Sequence, residues 1–145
     1  MGYRSDVAMT IRFKGEDGGK KLFYLFLAAA KADPKTAAAF VPLEFDINGV
    51  WLPEINEEKY QINFSIDGVT WNESYPEVDA IIALHDLAKK WTEMDMLATG
   101  EPNDTEMGVR FVRVGESADD IEEEEEGALE LFCALDVVTV IERDW

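Results

Sequence analysis

The stretch Val7-Ala8-Met9-Thr10-Ile11-Arg12-Phe13 alternates large apolar side chains with small or polar ones. A period of two residues is typical of a β-strand that turns one face toward a core, so this stretch predicts a half-buried strand. The glycine-rich segment 15–19 ends the strand. The segment 20–32, rich in Leu, Ala and Phe, then predicts a helix that Asp33-Pro34 terminates.

The middle of the chain predicts further strands. Residues 43–47 and 60–66 again alternate apolar and polar side chains, which indicates two more strands. Asp67-Gly68 stands between strand-like residues, and such a pair predicts the tight turn of a hairpin. Residues 109–114 are mostly β-branched and predict another strand. Residues 128–143 are β-prone but long for one strand, which indicates one bent strand or two strands.

A second helix is predicted to begin near Ser74. Ser74 with Glu77 three residues later forms a capping-box pattern, and Pro76 stands in the first turn. The helix should run to about Met94, because apolar residues recur on one of its faces.

The order of these elements predicts an α+β fold, with two helices on one face of a mainly antiparallel sheet. A ferredoxin-like βαββαβ core with one or more added strands fits that order most specifically. The length of 145 residues fits a single domain, 1–145. The predicted core comprises Val7, Met9, Ile11, Phe13, Leu22, Phe26, Phe45, Ile62, Phe64, Ile81, Leu84, Trp91, Val109, Phe111, Leu131 and Leu135.

Charge is the outlying property of the composition. The chain carries 31 acidic residues against 13 Lys and Arg, for a formal net charge of −18. Residues 41–100 hold twelve acids and three bases, and residues 101–130 hold twelve acids and two bases. Such a protein is repelled by nucleic acid and by anionic membranes, so its charged partners should be basic surfaces.

Five consecutive glutamates, Glu122–Glu126, form the most acidic stretch. Repulsion between neighbouring like charges favours a solvated loop at about 116–127, between two strands. The alternative is that this run belongs to an acidic face that competes for basic nucleic-acid channels. The candidate partner-binding residues are these acids and two tryptophans beside turns: Glu122, Glu123, Glu124, Glu125, Glu126, Asp119, Asp120, Trp51 and Trp71.

Few residues are suited to catalysis or to metal binding. His85 and Cys133 are the only histidine and cysteine, so a protein zinc site is not expected. His85 is better interpreted as a partly buried or solvated structural histidine, and Cys133 as a packed thiol. The loop Gly15-Glu16-Asp17-Gly18-Gly19-Lys20 lacks the spacing of a phosphate loop and contains two acids. No catalytic residue, metal or cofactor is therefore assigned.

The single cysteine excludes an intramolecular disulfide and suits a reducing cytosol. No secretory signal is visible at the start, and the apolar runs are too short to span a bilayer. A cytoplasmic location is expected.

The opening Gly2-Tyr3-Arg4-Ser5-Asp6-Val7 resembles the start of small phage and prophage proteins of unknown function. In charge and size the chain is also similar to phage DNA-mimic inhibitors, such as anti-restriction and anti-CRISPR proteins. These resemblances imply a phage-encoded inhibitor in a bacterial host cell, which occupies the basic site of a host nucleic-acid-binding or defence protein.

Three classes of function remain open from the sequence. The first is this acidic inhibitor or interaction protein. The second is a small phage adaptor or assembly module whose acidity only provides solubility. The third, an enzyme without a recognisable motif, is the least favoured, because the chain has one His, one Cys and no phosphate loop.

Overall fold

The computed structural model describes residues 4–15, 17–44, 50–72, 74–100, 105–116, 120–127, 135–137 and 141–143. The helices are α1 (Asp17–Ala32), α2 (Pro34–Ala37), α3 (Pro76–Thr99) and a 3-10 turn, Ala38–Phe40. The strands are β1 (Arg4–Phe13), β2 (Leu43–Glu44), β3 (Val50–Trp51), β4 (Glu54–Asn56), β5 (Gln61–Thr70), β6 (Met107–Val114), β7 (Ile121–Glu126), β8 (Leu135–Val137) and β9 (Ile141–Arg143).

Five strands form one antiparallel sheet in the order β4-β5-β1-β6-β7. The connection through α1 leads from β1 to β4 with β5 between them, and α3 leads from β5 to β6 with β1 between them. These two split crossovers make a ferredoxin-like core, to which β7 adds a strand beyond β6. The predicted α+β class is confirmed, and two short two-stranded sheets, β2-β3 and β8-β9, accompany the core.

The main core lies between one face of this sheet and the helices. Val7, Met9, Ile11 and Phe13 of β1 turn to this face and pack with residues of α1 and α3. The rings of Phe13 and Phe23 meet edge to face with centroids 5.4 Å apart. Alternation along β1 therefore predicts this face correctly.

Most of the predicted core is confirmed. The buried members are Val7, Met9, Ile11, Phe13, Phe26, Ile62, Phe64, Ile81, Leu84, Val109 and Phe111. Leu22 and Trp91 are partly buried and pack against that core. Phe45 and Leu131 lie outside the described residues, and Leu135 is in β8, where side-chain burial is not described.

The opposite face of β1 is also buried, which the sequence does not predict. Ala8, Thr10 and Arg12 are at most 6 % exposed. Strand β9 contacts both β1 and β6, and each of these already has a neighbouring strand on either side. Because the helices cover the first face, β9 packs over the second, so β1 is a fully buried central strand and the half-buried prediction is wrong.

Asp67-Gly68 does not form the predicted hairpin turn. β5 continues through both residues, and together they lie opposite the single residue Asp6 of β1. Gly68 adopts a φ of 69° and donates its backbone N–H to the Asp6 carboxylate at 2.9 Å. A positive φ and two residues opposite one define a β-bulge. The positive φ of Gly68 would also suit a hairpin turn. Because β1 pairs with β5 on both sides of this position, it forms a bulge instead.

The start of α3 also differs from the prediction. Its N-cap is Tyr75, which makes no capping side-chain bond, and the Ser74 hydroxyl bonds the side chain of Asn72. The capping box is therefore not formed. The helix runs five residues beyond Met94 and ends at Gly100, which takes a left-handed conformation with a φ of 78°.

Phe64 tests the facing of the sheet. It lies opposite Met9 and is 2 % exposed, so Phe64→Ala should lower the free energy of unfolding by about 3–5 kcal/mol through lost burial and a residual cavity. Urea denaturation measures the change. Leu97→Ala, at an exposed position on α3, is the control and should cost less than about 0.5 kcal/mol. Equal effects of the two variants would contradict the assigned facing.

Candidate interaction site

The acidic run is a β-strand and not the predicted loop. Ile121–Glu126 pairs antiparallel with β6 in continuous register, from Val114 opposite Ile121 to Val109 opposite Glu126. Successive side chains of a strand point to opposite faces, so neighbouring glutamates are separated by the sheet itself. That alternation reduces the like-charge repulsion on which the loop prediction depends.

Arg113 compensates charge on the helix-covered face. Its guanidinium contacts Asp120 at 2.9 Å and Glu122 at 2.7 Å, and it donates to the Ser5 hydroxyl at 2.9 Å. The Arg113 side chain is 11 % exposed, and its guanidinium group is held between Ser5 of β1 and the acids Asp120 and Glu122. Asp120, a predicted partner-binding residue, is therefore a structural ion-pair partner.

Arg110 compensates negative charge on the opposite face of the sheet. It contacts Glu125 at 2.8 Å and Glu123 at 3.6 Å. Opposite charges on adjacent strands stabilise their pairing, and two arginines three positions apart in β6 supply one such charge to each face. Two arginines facing five glutamates still leave β7 with an excess of negative charge.

His85 of α3 occupies the junction between the helix and β7. Its side chain is 9 % exposed, and its Nε2 lies 3.4 Å from a carboxylate oxygen of Glu124. The Nδ1 atom is 3.9 Å from Asp86, and the imidazole packs on Phe111 with centroids 5.3 Å apart. His85 is therefore buried, where the sequence predicts a partly buried or solvated side chain, and its position beside the acidic strand is not predicted from the sequence.

A small groove opens beside His85. It has a volume of about 200 Å³, and its lining residues are Trp71, Ile82, His85, Asp86, Phe111, Glu122 and Glu124. Trp71 packs on Phe111 with ring centroids 5.9 Å apart. The groove thus has an aromatic floor and a carboxylate rim, a combination that suits a cationic side chain through charge and cation–π attraction. We call it the α3–β7 groove.

Burial and neighbouring charges shift the pKa values of two side chains at or near the groove, His85 and Glu126. Burial lowers the pKa of His85 below its ordinary value, although Glu124 and Asp86 act in the opposite direction and Lys89 acts in the same one. The imidazole is therefore mainly neutral at pH 7 and does not cancel the charge of Glu124. Burial also raises the pKa of Glu126, and the carboxylates of Glu93 and Glu124 raise it further, against Lys89.

The remaining predicted site residues are placed differently. Trp51 is in β3 opposite Leu43, and its side-chain surroundings are not described. Asp119 and Cys133 lie outside the described residues. Of the two predicted tryptophans, Trp71 is the one that lines the groove with Asp86, Glu122 and Glu124.

The sequence does not identify Phe111, Arg110 or Arg113 as members of the site. Only the pairing of β6 with β7 places them there. The presence of Arg110 and Arg113 in an otherwise apolar strand is the one local signal that a charged neighbour follows.

Within the described part of the chain, no three His, Cys, Asp or Glu residues are grouped so that they could hold a metal ion. The same part contains no helix long and apolar enough to cross a membrane. Comparison with protein-family models, with curated proteins and with solved structures finds no match to this chain. Function must therefore be inferred from β7 and the α3–β7 groove.

His85 predicts a specific pH dependence of stability. Its lowered pKa means that the unfolded chain binds the proton more readily than the folded one. Its contribution is complete above the unfolded pKa of about 6.5 and is lost as the pH falls through the lower folded value. The single histidine resonance should titrate below 6.5 in NMR spectra. His85→Gln should reduce the slope of unfolding free energy against pH in that window, and an unchanged slope would contradict the assignment.

Proposed function

We propose that this protein is a non-enzymatic interaction protein that binds a basic protein surface through β7 and the adjoining side of α3. The observation that carries the proposal is the exposure of Glu122–Glu125 on an extended edge strand. Acids held on a strand form an ordered row, whereas acids in a loop have no fixed spacing.

The spacing of this row favours a nucleic-acid-binding partner. A β-strand advances about 3.4 Å per residue, so β7 carries one carboxylate about every 3.4 Å when both faces are counted and one about every 7 Å on each face. One strand of duplex DNA carries one phosphate per 3.4 Å of helix axis. Five glutamates cover about 17 Å at that spacing. A groove that contacts both faces of this edge would meet a linear density of negative charge similar to that of one nucleic-acid strand, lowered in part by Arg110 and Arg113.

Helix α3 extends the acidic surface. Asp79, Asp86 and Glu93 are exposed and lie seven residues apart, so they share one side of the helix. Asp86 borders the α3–β7 groove, and the carboxylate of Glu93 helps to raise the pKa of Glu126 at the other end of β7. A partner would therefore meet two roughly adjacent rows of carboxylates.

The aromatic floor of the α3–β7 groove can provide selectivity, which charge alone does not. Long-range attraction speeds association, but it distinguishes poorly among basic surfaces. Trp71 is half-buried over Phe111 and accessible from the groove, so it can pack on an inserted arginine or lysine. Aromatic residues of this kind are enriched among the contacts that dominate binding energy.

The more specific form of the proposal is a phage-encoded DNA-mimic inhibitor, acting in the bacterial cytoplasm on a host nucleic-acid-binding or defence protein. Its support is the net charge of −18 and the resemblance of the opening residues. The second candidate is an adaptor or assembly module whose acidity serves solubility. The two differ in whether the position of the charges matters or only their number.

Two matched variants separate these candidates. Glu123→Gln, Glu124→Gln and Glu125→Gln remove three charges from β7, and Glu54→Gln, Glu57→Gln and Glu58→Gln remove three exposed charges at the opposite edge of the sheet. Each triple variant changes the net charge from −18 to −15. Immobilised protein should retain nucleic-acid-binding proteins from a bacterial lysate at low salt and release them to added duplex DNA. The β7 variant should retain at least about tenfold less, a difference of 1.4 kcal/mol.

The opposite-edge variant is the control and should behave like the parent protein. Equal losses in both variants would show that only the total charge matters and would favour the solubility role. Retention that is unaffected by high salt would contradict an electrostatic mechanism.

A further inference from the structure

Strand β7 is a terminal strand of the five-stranded sheet. Over the residues that the structure describes, it pairs with β6 on one side and with no strand on the other. Glu125 is an exposed residue although only 26 % of its side chain is open, so its backbone contributes much of that exposure. An open edge of this kind carries unpaired N–H and C=O groups that can pair with another chain.

We propose that β7 binds an extended basic segment of the partner as an additional strand of the sheet. This inference rests on the proposed function and specifies how the acidic surface engages its partner. Strand addition combines backbone hydrogen bonds, which supply affinity, with side-chain contacts at alternate positions, which supply selectivity.

The register identifies the backbone groups that are available. Gly115 donates its N–H to the carbonyl of Asp120 at 2.8 Å, so this pair is a hydrogen-bonded pair of the β6–β7 ladder. Hydrogen-bonded and non-hydrogen-bonded pairs alternate along an antiparallel ladder. The backbone groups of Glu122, Glu124 and Glu126 therefore face β6. Those of Ile121, Glu123 and Glu125 face the open edge and can bond an incoming strand.

Charge determines which strand can pair there. A second copy of β7 would place glutamates beside glutamates, and like charges on neighbouring strands are destabilising. A segment rich in Arg or Lys would instead place a cation beside each carboxylate on either face. The glutamates thus disfavour self-association while they leave the edge open to a basic chain.

Among the four exposed glutamates, Glu122–Glu125, Glu124 is the one that contacts a histidine in place of an arginine. Glu122 contacts Arg113, and Glu123 and Glu125 contact Arg110, whereas Glu124 faces the mainly neutral imidazole of His85. A long cationic side chain opposite Glu124, on the helix-covered face, would reach the α3–β7 groove and its aromatic floor. One edge therefore offers backbone bonds, a row of carboxylates and an anchoring groove.

Glu123 provides a test that separates backbone pairing from charge. Its N–H faces the open edge, so Glu123→Pro removes an edge donor without removing a bond to β6, and proline is tolerated at such edge positions. Glu123→Gln loses the same charge and keeps the donor. The probe is an eight-residue peptide of alternating Arg and Thr at low salt. The proline variant should bind it about tenfold more weakly than the glutamine variant.

Amide hydrogen exchange in the parent protein gives a second measurement. Binding of the peptide should slow exchange at Ile121, Glu123 and Glu125, while Glu122 and Glu124 are already protected by β6. This measurement uses the parent protein and therefore does not depend on the folding of the proline variant. In the proline variant, protection of the Glu122 and Glu124 amides reports whether β6 and β7 still pair.

Peptide binding without new protection of these three amides, or equal affinities of two folded variants, would overturn strand addition but leave charge-based binding intact. No peptide binding to the parent protein, together with no retention of basic proteins in the lysate experiment, would overturn both.

Discussion

The pairing of β1 along both edges is the constraint on which the rest of the structure depends. Because β5 and β6 occupy its edges, the connection through α1 crosses β5 and the connection through α3 crosses β1, and both helices share one face. The other face then needs a separate cover, and β9 contributes to it. Thr10 shows the consequence, since its buried hydroxyl donates to Asn63 at 2.6 Å and accepts from Arg12 at 2.9 Å. Hydrogen bonds of this kind offset the cost of burying the polar groups on the second face.

The same constraint explains why the acidic strand lies at the edge. β6 is central and contributes apolar residues to both faces, Phe111 to one and Val112 to the other. A strand with glutamates on both faces could not take such a position, because burial of an uncompensated carboxylate is costly. At the edge, solvent and the two arginines of β6 reduce that cost, and the like charges disfavour pairing between the edges of two molecules.

The sequence predicts those parts of the fold that depend on local periodicity. Alternation in β1 and the apolar stripe of α3 identify Met9, Ile11, Ile81 and Leu84 as core residues, because the period alone determines which side chains share a face. Asp67-Gly68 and Glu122–Glu126 are misjudged for the opposite reason. Their conformations depend on a partner strand that is distant in sequence: β1 turns the expected hairpin into a bulge, and β6 turns the expected loop into a strand. The groove at His85 likewise exists only after β7 has paired.

The excess charge of β7 is linked to the burial of β6. Full neutralisation of five glutamates from within the protein would need more basic residues in β6. The positions opposite Glu126, Glu124 and Glu123 are however Val109, Phe111 and Val112, which the two cores require to be apolar. Only positions 110 and 113 remain, and both are arginines. An edge strand that extends a sheet with two buried faces can therefore carry this many carboxylates only if something outside the protein, either water or a basic partner, takes up the remainder. In the proposed complex, a basic segment that replaces water would add backbone bonds to β7 and release the counterions of its carboxylates.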